Sequence, residues 1–186
     1  MPKTLVSDPG HLLEDPIAQQ RHTDDLAEAP VPTEQVPPDV YAMPATPGQV
    51  RFWSLDQLNL GNPALNMPLM WQCTGPLDIP ALVEAFERCL ERHEILRTTF
   101  QLVDGALSQV IHPETCIPIP VVDLTSLSGE AQRQEADALT RDHAAFRFDL
   151  KTGPLLVLRL LKTSPQHHVL LAVSYTHLTL PTKRIV

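Results

Sequence analysis

The densest run of chemically able side chains in this 186-residue chain is Arg92-His93-Glu94-Ile95-Leu96-Arg97-Thr98-Thr99-Phe100. An imidazole beside a carboxylate, flanked by two guanidiniums, has the parts for acid–base work, because histidine titrates near neutral pH. The spacing argues against that use. His93 extends the series Leu82, Ala85, Phe86, Cys89, Leu90 at helical intervals, so it reads as a satisfied core histidine. Arg97 follows that helix and is the stronger functional candidate. No group of histidines and cysteines has metal-ligand spacing, and no glycine-rich loop is placed to cradle a phosphate.

The elements that must position this run are legible from periodicity. Asp78 is the expected N-cap of its helix, with Pro80 in the first turn. Glu84 and Arg88 form an attractive i, i+4 pair on the outer side. Residues 96–111 read as a hairpin, Leu96–Val103 and Leu107–Ile111 about the turn Asp104-Gly105. An earlier helix opens at Pro47 behind Thr46, with Val50, Trp53, Leu55 and Leu58 on its apolar side. A strand follows at Asn66–Cys73, with Met67, Leu69, Trp71 and Cys73 on one face. Ile117–Val122, broken by Pro118 and Pro120, reads as an edge strand. Ser128 caps a further helix to about Ala145, with Ala131, Ala138, Leu139 and Ala145 as its thin stripe. Two near-continuous apolar strands, Leu155–Lys162 and His168–Val173, are expected to be buried on both faces. Helices interspersed among strands make this an α/β or α+β sandwich.

Charge and proline are uneven. Nine of the 19 prolines lie in the first 47 residues, and residues 1–40 hold eight acids against Lys3 and Arg21. Residues 1–45 are therefore expected to be a disordered acidic leader. Leu12, Leu13 and Ile17 have the spacing of a docking helix, but Pro16 opposes a stable one, so docking segment and plain linker both remain open. Nothing forms a basic footprint for nucleic acid or a polybasic membrane patch. The N-terminus lacks a secretory signal and no apolar run is long enough to span a bilayer, which points to a cytoplasmic protein. Three scattered cysteines give no disulfide framework, and Cys89, on the apolar stripe, reads as a buried thiol.

The run at 92–100 resembles the R-H-E-x-L-R-T-x-F motif of nonribosomal peptide synthetase condensation domains. Thr46-Pro47-Gly48-Gln49-Val50-Arg51-Phe52-Trp53-Ser54-Leu55 resembles the family's S-x-A-Q-x-R-L-W-x-L opening motif, with Gly48 where alanine is usual. Asp56-Gln57-Leu58, Asn66-Met67-Pro68, Gly75-Pro76-Leu77-Asp78 and Phe148-Asp149-Leu150 are weaker matches in the family's order. Residues 46–173 thus resemble the N-terminal portion of such a domain. The resemblance implies the N-terminal half of a chloramphenicol acetyltransferase-like fold, incomplete here. It makes Gln49, Arg51, Trp53, Arg92, His93, Glu94, Arg97 and Phe100 structural motif residues, with Arg92 and Arg97 as buttresses of the active-site loop.

The family's reaction, by this resemblance, is attack of an acceptor amine on a donor thioester, both tethered by phosphopantetheine to carrier domains. An adenylation domain, in cis or in trans, is the implied further partner, and no cofactor is implied within the domain itself. The family's H-H-x-x-x-D-G motif is expected to place its second histidine near position 176. Here the chain reads Ser174-Tyr175-Thr176-His177-Leu178-Thr179, and no Asp-Gly follows. His167-His168 also lacks Asp-Gly three residues on and reads as a polar strand start. No catalytic residue is therefore assigned. Residues 174–186 read as a non-native tail, of a kind that recurs at the ends of metagenomic gene predictions. The chain is expected to be an inactive fragment of a peptide-bond-forming domain. Two alternatives are a non-catalytic module that holds carrier domains and a fragment of an epimerisation, cyclisation or other acyltransferase variant.

Overall fold

Proline and a threonine cap start the first helix, and the same logic recurs along the chain. The computed structural model describes residues 40–175. Strand β1 (Tyr41–Pro44) precedes helix α1 (Pro47–Leu58), whose N-cap Thr46 forms a full capping box with Gln49. Strand β2 (Asn66–Thr74) leads to α2 (Ile79–Arg92), capped by the Asp78 carboxylate on the Ala81 N–H at 3.1 Å. A short 3-10 turn over Glu94–Arg97 joins α2 to β3 (Thr98–Val103). The hairpin to β4 (Ala106–Ile111) turns at Asp104-Gly105, both at positive φ, which is what a two-residue I′ turn needs. Then come β5 (Val121–Asp123), α3 (Gly129–Ala144), β6 (Leu156–Ser164) and β7 (His167–Tyr175).

The strands make two sheets, one ordered β1-β4-β3 and one ordered β2-β7-β6-β5. All pairings are antiparallel except β5 with β6. As expected of a doubly covered strand pair, β6 and β7 bury both faces. Leu158, Leu160, Leu170 and Ala172 pack under α2 with Leu82, Val83 and Phe86. Leu161 and Leu171, on the other face, pack with Ala136 and Leu139 of α3. Leu160 and Leu161 are both fully buried on opposite faces, each contributing roughly 1.5–3 kcal/mol of transfer free energy. A third cluster joins the two sheets through Phe100, Phe148, Leu155, Val173 and Tyr175, with Phe52 and Trp53 of α1 against it.

The structure corrects several expectations. Ordered structure starts earlier than residue 46, because β1 pairs with β4 in register from Tyr41↔Ile111 to Pro44↔Ser108. Its short edge strand can hold a proline, so local proline density misplaced the boundary. At the other end β7 runs on through Ser174 and Tyr175, and Tyr175 is core. Ser174 and Tyr175, expected to open a tail, are therefore part of the sheet. Residues 1–39 and 176–186, with the leader's possible docking segment and the remainder of the tail, lie outside the described residues.

The buried arcs of the helices also differ. In α1 the inward positions are Gln49, Phe52, Trp53 and Asp56, while Leu58 is 83% exposed and Val50 and Leu55 are also exposed. In α2 the packed arc is Ile79, Leu82, Val83, Phe86 and Leu90. Cys89 and Ala85 fall on its flank, so Cys89 is an exposed thiol, not a buried one. In α3, Ala136, Leu139 and His143 face inward, whereas Ala131, Ala138 and Ala145 are exposed. Strand β2 is an open edge with Met67, Leu69, Met70 and Trp71 all exposed, so it lacks a single buried face. Of the expected strand at 117–122 only the end at Val121 and Val122 is strand. Ile117 and Ile119 still enter the core.

Candidate functional site

Arg97 is the best-placed of the motif residues. Its Nε donates to the Leu90 carbonyl at 3.0 Å and its Nη2 to the Glu91 carbonyl at 3.4 Å. Its Nη1 donates to the His112 carbonyl and, at 3.3 Å, to the Pro113 carbonyl. Leu90 and Glu91 are in the last turn of α2, where carbonyls lack intrahelical donors and a cation is favourable. One side chain thus ties the end of α2 to the segment that leaves β4. The loop beyond Tyr175 that it was expected to support lies outside the described residues.

Arg92 behaves differently. It is exposed and makes no hydrogen bond or ion pair among the described residues, so it does not buttress anything there. His93 is the junction: its N–H donates to Cys89 O at 3.0 Å and its carbonyl accepts from Leu96 N–H at 3.0 Å. Its ring is half-buried at the wall of a 380 Å³ groove with Met43, Glu94 and Gln109, outside the core clusters. Glu94 is exposed, and its carbonyl accepts from the Thr98 hydroxyl at 2.8 Å. Phe100 is fully core.

The opening motif is placed by its polar residues. Gln49 Oε1 accepts from Thr46 N–H at 2.8 Å and its Nε2 donates to Gln109 Oε1 at 2.9 Å. Gln109 Nε2 reaches the Pro44 carbonyl at 3.3 Å, so α1, β4 and β1 are linked through two amides. Trp53 packs on the cluster around Phe148, while Arg51 is exposed and makes no contact of this kind among the described residues. Asp56, buried in the same helix, accepts from Gly61 N–H at 3.0 Å. Burial holds its carboxyl above the usual range, with the Gly61 and Asn62 N–H groups pulling the other way.

The end of β7 is held tightly. The Tyr175 phenol is buried, donates to the Phe52 carbonyl at 3.1 Å and packs edge-on to Phe148 at 6.4 Å. Its N–H donates to Leu155 O at 3.0 Å. Burial first, and then the nearby Asp56, pushes the phenol up, so it stays a donor. The next residue, Thr176, and His177 lie outside the described residues. His167 is exposed, but His168 is buried, with its Nδ1 unpartnered among the described residues. It is therefore not a solvated strand start: β2 and β6 flank it as Cys73 and Lys162.

A second cavity, of about 230 Å³, lies between Arg97, Thr99, His112, Cys116 and Pro154. The Thr99 hydroxyl is paired with His112 Nε2 at 2.8 Å. Among the described residues no cluster of three or more histidine, cysteine or acidic side chains could hold a metal ion. No described helix is long and apolar enough to cross a membrane. The motifs were found by their sequence. Tyr175 and the Thr99–His112 pair were missed, and Asp56 entered only within a weaker motif match, because burial of a polar side chain leaves no periodic signal.

Comparison with known proteins places this arrangement. A family model described as Condensation domain matches residues 41–179. A linear gramicidin synthase of Brevibacillus parabrevis is 40% identical over 130 residues, covering 70% of this chain and 2% of that protein. Chondramide synthase cmdD of Chondromyces crocatus is 39% identical over 136 residues, covering 73% of this chain and 4% of that protein. The chain therefore spans a few per cent of these curated relatives. Among solved structures, the starter condensation domain of rhizomide synthetase RzmA superposes with a TM-score of 0.65 at 26% identity. That match covers 73% of this chain and 32% of that one. The four-domain nonribosomal peptide synthetase AB3403 shares the fold, with a TM-score of 0.67 at 19% identity over 84% of this chain and 11% of its own. With a model that takes in every strand and helix from β1 to β7, and with relatives that are peptide synthetases, this chain belongs to the condensation-domain family.

Proposed function

We propose that these residues are the N-terminal portion of a domain that joins two carrier-bound aminoacyl or peptidyl thioesters through an amide bond. The observation that carries this reading is the joint one of motif and place. The family match runs through β7, and β7 delivers the chain at Tyr175, one residue before the position where the family sets its second histidine. The partners of the parent protein, in this reading, are carrier domains bearing phosphopantetheine thioesters and an adenylation domain in cis or in trans. The setting is the cytoplasm. Chemistry in such a site rests on holding two tethered thioesters at attack distance and on managing the amine proton with a group that titrates near neutrality.

The chain itself is read as inactive. Thr176 stands where the histidine is expected, and a hydroxyl does not titrate near neutral pH. Loss of a positioned acid–base group alone costs about 10²–10⁴-fold. The test is amide formation between two carriers loaded with aminoacyl thioesters, read by mass spectrometry of the carriers. The 186-residue chain and its Thr176→His variant should both match the no-enzyme control. A chimera in which the downstream portion of a condensing relative follows Val173 should turn over. Turnover by the chain itself, lost on His177→Ala, would overturn the inactive reading. A well-folded chimera without turnover would overturn the condensing one.

A further inference from the structure

We draw no further inference here: the strongest candidate, the cavity of about 230 Å³ between Arg97, Thr99, His112, Cys116 and Pro154, carries nothing, because its Thr99 hydroxyl and His112 imidazole already pair with one another at 2.8 Å and nothing among the described residues shows what would occupy it.

Discussion

The hydroxyl of Tyr175, at the last residue of β7, donates to the Phe52 carbonyl in α1 across 3.1 Å. That bond joins the opening motif to the last described residue of β7. Helix carbonyls in mid-helix already accept from their own i+4 donors, so the phenol adds a second bond without breaking the first. Tyr175→Phe keeps the edge-on contact with Phe148 and removes only this bond. It should cost about 0.5–1.5 kcal/mol in urea unfolding with an unchanged m-value. Tyr175→Ala also removes a buried ring and should cost about 3–5 kcal/mol. Equal losses in the two variants would show that the hydrogen bond, not the ring, holds the strand end.

His143 should make stability depend on pH. It is buried in α3 against β6 and β7, with Nε2 unpartnered among the described residues. Burial first, then the positive Arg159 of β6, lowers its affinity for a proton, partly offset by the Val157 backbone, then by Asp142 of its own helix and the Leu171 backbone. In the unfolded chain the imidazole titrates near about 6.5. Below that value the unfolded state takes up a proton that the folded state refuses. Stability is therefore full above about pH 6.5 and falls as pH drops toward the lower folded value. Asp149, whose carboxyl is lowered mainly by the Lys151 N–H, loses its own contribution only at more acidic pH. Urea midpoints measured from about pH 7.5 to about pH 5 should decline in the native sequence. The decline should flatten in His143→Leu, and a slope that persists unchanged in that variant would assign it elsewhere.

Gly61 is required by its surroundings. It sits at φ 64 with its N–H on the Asp56 carboxylate. A Cβ there would lie 3.0 Å from Arg147 Cβ and 3.1 Å from the Phe148 carbonyl. Arg147 in turn donates to the Leu60 carbonyl at 2.6 Å, so it is not free to swing aside. Gly61→Ala should cost about 2 kcal/mol or more, combining left-handed strain with the close contact. Gly105→Ala meets nothing within 4 Å at a similar φ, and should cost less. Thermal shifts of the two variants separate crowding from backbone strain.

Legibility followed chemistry. Where the buried arc of an element is apolar, as in α2 or in the β6–β7 pair, periodicity placed it within a few residues. In α1 the inward positions 49, 52, 53 and 56 keep helical spacing but two are polar, so a hydrophobic template settled on Val50, Leu55 and Leu58. In α3 the same happens, because Gln132 turns its amide inward to the Leu124 and Thr163 carbonyls and His143 fills the last inward position. Short edge strands such as β1 make few demands on composition, and proline conceals them. At the site, the motif run located Arg97 but did not separate it from Arg92. A side chain's value there depends on which carbonyls lie within its reach, and a linear pattern does not carry that.

Those two arginines give the sharpest comparison. Arg97 donates to four backbone carbonyls, two in the last turn of α2 and two in the loop that leaves β4, and Arg92 has no such bond among the described residues. Arg97→Ala leaves the last turn of α2 without its donors and unties it from His112 and Pro113. It should cost about 2–3 kcal/mol, the range for hydrogen bonds to a charged group with some replacement by water. Arg97→Lys keeps the charge at the helix C-terminus but has no planar fork to span both segments, so it should recover less than half of that loss. Arg92→Ala should stay within about 0.5 kcal/mol of the native sequence, as exposed positions do. The measurement is the urea midpoint at fixed m-value, with amide exchange at Leu96 and His112 as a local reading. Arg97 variants should speed exchange at His112, whose N–H donates to Arg97 O at 3.0 Å, before they unfold the sheet. If Arg92→Ala proves as costly as Arg97→Ala, the helix end is held by charge alone and the carbonyl contacts of Arg97 contribute nothing of their own.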